Sequence, residues 1–301
     1  MEQRPTAPFG RVLTAIITPF NDDGSVDYVT FSRLVNHLVH NGSEGIVVAG
    51  TTGESPTLSS AEKTALFGAA VDAAKDKTYI VAGVGTYNTA ESCESARAAR
   101  DCGVDGVMAV TPYYSKPPQS GIVAHMTAIA DVAELPMMVY NIPGRTCKLI
   151  ELDTLIELAG HPHICCVKDA VDNVPWSLDA IRALPEGFAV YSGSDGVTKQ
   201  LVEGGAVGVV SVASHLAGVE IAKMVDAVIA GDDDTAMEID ELLEPLIAAL
   251  FSEPSPMPLK AGLTAYWDSV GSPRLPLVDA QPETTEAIGD ALTAINRYRG
   301  S

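Results

Sequence analysis

The sequence predicts an α/β fold of one kind, a closed (β/α)8 TIM barrel followed by a C-terminal helical appendage. Three observations carry that expectation. Eight short apolar runs rich in β-branched residues alternate with amphipathic stretches along the chain. Their centres fall roughly 20 to 34 residues apart, the length of a strand plus its crossover helix. The runs are continuously apolar rather than alternating, as in strands buried on both faces of a parallel sheet. The 301 residues suffice for one such barrel, which takes about 250, and an extension.

In order, the runs are Val12–Thr18, Gly45–Ala49, Tyr79–Val84, Gly106–Thr111, Met137–Asn141, Ile164–Lys168, Ala189–Ser192 and Val207–Ser211. Helices are expected between them over Asp27–His40, Ser59–Ala74, Ala90–Asp101 and Ser120–Val132. The second of these opens on Ser59-x-x-Glu62, a capping box in which each side chain satisfies a free backbone N–H. An open dinucleotide-binding sheet is the main rival. Gly83-Val84-Gly85 and Gly204-Gly205-Ala206-Val207-Gly208 do not complete Gly-x-Gly-x-x-Gly with an acid about 20 residues on. They read as tight turns and small-residue packing. Beyond the eighth run, His215–Ala230, Thr235–Phe251, Pro258–Ser269 and Glu283–Arg299 read as helices with no strand between them. Acidic residues crowd Asp232–Glu244 as a solvated face. The barrel is therefore placed at residues 1–230 and the helical region at 231–301.

Apolar residues make up 47% of the chain and charged residues 19%, enough for a large core. No apolar run approaches the ~18 residues that span a bilayer. Met1 to Arg11 holds no apolar stretch of the secretory kind, so a soluble, cytoplasmic protein is expected. Basic residues number 19 and acidic ones 39, a net charge of −20. That field repels phosphate backbones and argues against a nucleic-acid partner. Solubility and a salt-rich cytosol are both adequate reasons for such a surface. An anionic substrate would need local cations to overcome the field, so every buried Lys or Arg matters. The five cysteines, Cys93, Cys102, Cys147, Cys165 and Cys166, form no Cys-x-x-Cys pair and are odd in number, which fits reduced thiols.

Active residues of such barrels sit at the C-terminal ends of the strands. That rule selects Gly50-Thr51-Thr52-Gly53-Glu54-Ser55, Thr111-Pro112-Tyr113-Tyr114, Tyr140-Asn141-Ile142-Pro143-Gly144-Arg145, Val167-Lys168-Asp169 and Ser192-Gly193-Ser194-Asp195. Lys168 is the sharpest candidate. Period-2 alternation puts Ile164, Cys166 and Lys168 on one face. A lysine desolvated at the barrel mouth has a lowered pKa and can attack a carbonyl to give an imine. Position alone leaves a second reading open, a lysine paired with Asp169 or reaching to solvent. Cys165 and Cys166 read as small core residues, and nothing in its position makes Cys147 reactive. His161-Pro162-His163 has the look of a metal pair but precedes the sixth strand, at the end opposite the rim. His37 and His40 read as a surface or packing pair, and no metal is expected.

With these residues in place, the chain resembles the dihydrodipicolinate synthase/N-acetylneuraminate lyase superfamily of class I pyruvate aldolases. Besides the rim motifs, Thr18-Pro19-Phe20, Pro256-Met257-Pro258-Leu259-Lys260 and Arg274-Leu275-Pro276-Leu277 carry the likeness, which runs nearly the full length. The resemblance implies that Lys168 forms an imine with pyruvate, with no cofactor. It makes Tyr140 the proton-transferring residue, with Thr51 and Tyr114 as relay partners and Tyr114 reaching in from a neighbouring subunit. Thr52 would hold the pyruvate carboxylate, Gly193 would lend a carbonyl near the imine, and Val210 counts among the substrate-binding positions. Arg145 would bind the carboxylate of L-aspartate 4-semialdehyde, a role suited to a guanidinium fork.

Arg145 and the doubled Thr51-Thr52 favour a synthase of lysine and diaminopimelate biosynthesis over a lyase of 2-keto-3-deoxy sugar acids or N-acetylneuraminate. A non-catalytic barrel is disfavoured because the whole relay is present. Asp169 and Ser194 depart from the commoner Glu and Asp, which bears on substrate detail. A homo-oligomer is implied, with a dimer of dimers as the family's usual form. The resemblance also implies a lysine feedback site near Ser55, Pro56, Ser60, Lys63, Tyr87, Glu91 and Tyr113. Lys63 sets a fixed positive charge there and Tyr87 adds bulk, so weak or absent lysine inhibition is expected.

Overall fold

Eight parallel strands close on themselves in sequence order, because β1 (Val12–Ala15) pairs with both β2 (Gly45–Val48) and β8 (Gly208–Ser211). Between those lie β3 (Tyr79–Gly83), β4 (Gly106–Val110), β5 (Met137–Asn141), β6 (Ile164–Asp169) and β7 (Ala189–Ser192). The computed structural model describes residues 6–300. The Met1–Arg11 stretch lies partly outside them. Among the described residues no helix is long and apolar enough to cross a membrane.

The first four crossover helices are α1 (Tyr28–His40), α2 (Ser60–Ala74), α3 (Thr89–Asp101) and α4 (Gln119–Ala133). Each begins and ends within a residue of expectation. Asp27 caps α1 by accepting the N–H groups of Val29 and Thr30 at 3.0 and 2.9 Å, and the Ser59–Glu62 capping box is fully formed. Four shorter helices give no clear signal in the sequence: α5 (Pro143–Thr146), α6 (Leu152–Ala159), α7 (Val174–Ala183) and α8 (Thr198–Glu203). At one to three turns they show too few repeats for the helical period to stand out. The four last helices are α9 (Ser214–Ala230), α10 (Asp233–Leu250), α11 (Met257–Tyr266) and α12 (Pro282–Arg299). Of these, α10 packs on both α9 and α12. Glu220 on α9, fully buried, accepts a two-pronged bond from Arg299 at 2.8 and 2.7 Å, which ties α12 to the barrel wall.

The core has two layers. Leu13, Val47, Val81, Met138, Tyr191 and Val210 fill the barrel interior, and a larger shell of Ile, Leu, Val and Phe lies between strands and helices. One expectation fails here. Met137 pairs with Ile164 but Met138 pairs with Cys166, so Cys165 is an extra residue in a bulge. The alternation therefore breaks. Ile164 belongs to the outer layer, whereas Cys166 and Lys168 remain inside.

Phe9 plugs the floor of the barrel. Tyr191 fixes it there, accepting the Phe9 N–H at 3.2 Å and donating to the Gly10 carbonyl at 2.9 Å. Gly106 abuts the Phe9 ring so closely that a Cβ would collide with it. With Phe9 across the floor, the cavities that reach Tyr140 and Lys168 lie at the C-terminal strand ends.

Candidate active site

Tyr140, Lys168 and Tyr191 stand side by side on β5, β6 and β7. Lys168 is 5% exposed, and its Nζ lies 4.3 Å from the centre of the Tyr140 ring. Burial draws the ammonium down to about 8, with Asp195 opposing the shift and Arg145 reinforcing it. The second reading of this lysine does not hold: its side chain is buried at the cavity wall and does not extend to the outer surface. Nor does it pair with Asp169, which points to the other face and accepts the Val171 N–H at 3.0 Å.

The Tyr140 phenol is pushed up to about 12, chiefly by burial and moderated by Arg145 and by a hydrogen bond with Thr51. It stays protonated near neutrality and can pass a proton along a hydroxyl chain rather than act as a free base. Thr51 lies in the turn after β2. There the Glu54 N–H bonds the Thr51 carbonyl at 3.0 Å and the Ser55 N–H bonds the Gly50 carbonyl at 3.2 Å. These groups face a cavity of about 700 Å³ that also takes in Thr52, Arg145 and Gly193. An adjoining cavity of about 210 Å³ shares Thr51, Tyr140 and Arg145 and extends to Tyr113. Arg145, on α5, is exposed, and among the described residues no carboxylate pairs with it. A buried amine, a phenol–hydroxyl relay and a free guanidinium converge on one cavity.

Residues 8–295 match the dihydrodipicolinate synthetase family. The chain belongs to that family. A relative from Heliobacterium modesticaldum named 4-hydroxy-tetrahydrodipicolinate synthase is 46% identical over 93% of this chain and 93% of its own length. A Streptomyces coelicolor relative named 4-hydroxy-tetrahydrodipicolinate synthase 2 is 47% identical over 96% of each. The solved dihydrodipicolinate synthase from Cyanidioschyzon merolae, with lysine bound, superposes with a TM-score of 0.94 at 42% identity, covering 97% of this chain and 99% of that one.

Not every expected site residue of this family member lies in the cavity. Thr52 is buried on its wall, and Gly193 is held there by its N–H, which bonds the Asp169 carbonyl at 2.6 Å. A side chain at Gly193 would crowd Ala170 and that same carbonyl at 2.9 Å. Val210 belongs to the interior layer below. Tyr114 stands apart, 91% exposed and in the left-handed backbone region at φ 65°. Among the described residues nothing holds this ring against Tyr140.

The sequence places Asp195 at the rim but shows neither its partners nor the C-terminal wall of the cavity. Asp195, the carboxylate that opposes the Lys168 shift, is itself buried and accepts from Ser211 Oγ at 2.5 Å and from the Val212 and Ala213 N–H groups at 2.9 and 3.1 Å. Its place at the end of β7 is a usable signal. The cavity is also walled by Ile247, Phe251, Pro254 and Ser255, so the C-terminal helices are part of the site rather than an addition behind it. His161 bonds Asp131 at 3.1 Å before β6, and His37 packs on Trp267. Among the described residues no three His, Cys, Asp or Glu side chains are grouped to hold a metal.

Proposed function

We propose that this chain condenses pyruvate with L-aspartate 4-semialdehyde to 4-hydroxy-tetrahydrodipicolinate, through an imine on Lys168. The observation that carries this reading is the unpaired, desolvated Lys168 amine sharing a cavity with the Tyr140–Thr51 pair and with Arg145. The neutral amine attacks the pyruvate keto carbon, and the carbinolamine loses water to give a protonated imine. This electron sink lets the methyl group release a proton. The resulting enamine carbon attacks the semialdehyde carbonyl, whose oxygen takes up a proton. The substrate's own amine then displaces Lys168 and closes the ring.

Within this scheme Tyr140 and Thr51 carry protons to and from the reacting oxygens, and Thr52 binds the pyruvate carboxylate. The Gly193 carbonyl and Val210 bound the imine, and Arg145 takes the semialdehyde carboxylate. Tyr114 completes the relay from a second copy, so the working form is a homo-oligomer, with a tetramer built as a dimer of dimers. The imine needs no cofactor, and the reaction is placed in the cytoplasm, where thiols stay reduced.

Purified protein given pyruvate and borohydride should gain one reduced pyruvate per subunit, on Lys168. Labelling that survives Lys168→Ala would sink the assignment. A coupled assay separates the substrate classes. Cleavage of a sugar acid without semialdehyde condensation would turn the reading toward a lyase.

A further inference from the structure

Three charged residues from separate sequence motifs have no part in the reaction as described: Glu54 after β2, Lys260 in α11 and Arg274 beyond it. Glu54 and Arg274 are 220 residues apart in the chain, yet the Glu54 carboxylate meets both the Lys260 ammonium and the Arg274 backbone N–H. Lys260 Nζ lies 2.8 Å from Glu54 Oε1, with both side chains essentially inaccessible to solvent. The other carboxylate oxygen accepts the Arg274 backbone N–H at 2.8 Å. Lys260 also donates to the Ser272 carbonyl at 3.2 Å, and its Nζ sits 4.1 Å from the centre of the Phe20 ring. The Arg274 guanidinium lies 4.4 Å from that same ring centre. It donates to the Gly24 carbonyl at 3.0 and 2.8 Å, to the Thr57 carbonyl at 2.8 Å and to Glu62 at 2.5 and 3.1 Å.

Stability alone is a poor reason for such a cluster, because a buried ion pair is often matched or bettered by apolar residues of the same shape. Its geometry suggests another. Glu54 sits in the left-handed region at φ 58°, a conformation that must be held from outside, and its N–H closes the turn that carries Thr51. On the opposite side of the ion pair, Lys260 belongs to the first turn of α11, immediately after the Pro254 and Ser255 that wall the cavity. One ion pair therefore joins the relay turn to the C-terminal wall.

We propose that Lys260 and Arg274 are positioning residues which, through Glu54, fix the Gly50–Ser55 turn so that the Thr51 hydroxyl meets Tyr140. The inference rests on the relay role given to Thr51 above. It makes the C-terminal helices a working part of proton transfer.

The test is a double-mutant cycle on kcat with Thr51→Val and Lys260→Met. Lys260→Met should lower kcat by about tenfold to a hundredfold, the range a misplaced group produces, while pyruvate trapping by borohydride stays at one per subunit. The double variant should be within about twofold of Thr51→Val, since both remove one interaction. Lys260→Arg should restore most of the loss. Folded Lys260→Met with wild-type kcat, or effects that multiply in the double variant, would overturn the inference. Wild-type turnover in Thr51→Val alone would instead remove the relay role, and the inference with it. Should Lys260→Met fail to fold, the cycle is run with Glu54→Gln, which keeps an acceptor for the Arg274 N–H but loses the charge. Non-additivity with Thr51→Val is again expected, and multiplying effects again refute.

Discussion

The pH dependence of imine formation follows directly from the surroundings of Lys168. An ordinary lysine, at 10.5, holds about 3 amines in 10,000 in the neutral form at pH 7. Brought down to about 8, Lys168 holds roughly a tenth, some 300-fold more attacking amine. At subsaturating pyruvate, the rate of forming the borohydride-trappable adduct should rise about tenfold per pH unit below 8 and level off above it. Tyr140, at about 12, stays protonated across that window and adds no break of its own. Asp195→Asn removes the carboxylate that raises the Lys168 value, so the break should move to lower pH. The adduct rate is read by quenching and intact-mass spectrometry between pH 6 and 10. A rate that climbs without a break through pH 9.5 would show an ordinary lysine and refute the desolvation argument. A break that stays put in Asp195→Asn would show that the two charges do not feel one another.

Arg145→Ala should leave pyruvate trapping intact and lower kcat/KM for the semialdehyde ten- to a hundredfold, the loss of a charged hydrogen bond worth about 1.5–3 kcal/mol; unchanged semialdehyde kinetics would make Arg145 a surface residue. Tyr114→Phe should slow turnover without altering trapping, and activity should follow the oligomer; light scattering that finds a fully active monomer would refute a role across subunits. Lysine should inhibit weakly or not at all, because half-buried Lys63, which feels the charge of Glu91, and Tyr87, edge-on to Tyr113 at 5.2 Å, stand in the region where the resemblance implies a lysine site. Initial rates against lysine decide it, and strong saturable inhibition would refute this reading.

The barrel is legible in the sequence because its strands are buried on both faces and so appear as unbroken apolar runs between turn residues. The bulge at Cys165 is not. No glycine marks it, and a pair of small thiols fits either register, so strict alternation assigns Ile164 to the wrong layer. Lys168 survives that error because the bulge lies upstream, with Cys166 and Lys168 in phase beyond it. The rim residues are legible for a related reason. A lysine, a tyrosine and paired threonines at the ends of apolar runs stand out from what packing requires. Asp195 stands in the same kind of place, but its partners, Ser211, Val212 and Ala213, lie on the next strand and loop, and a lone sequence gives no distance between them.

Lys168 and Lys260 are the buried lysines among the described residues, and they show why burial alone does not define a site. Both stand in apolar surroundings that draw the ammonium down. Lys260 faces a carboxylate at 2.8 Å and a backbone carbonyl, so its charge is held in place and serves as a fixed strut. Lys168 has no such partner. The carboxylate nearest in effect, Asp195, is occupied by three donors of its own, and the neighbouring cation Arg145 adds to the desolvation. In a chain of net charge −20, most carboxylates lie on the surface, where they cannot neutralise a cation at the bottom of a cavity. The acidic field outside and the uncompensated amine inside are therefore compatible. An anionic substrate that enters meets Lys168 and Arg145 at close range, where the distant surface charge is screened.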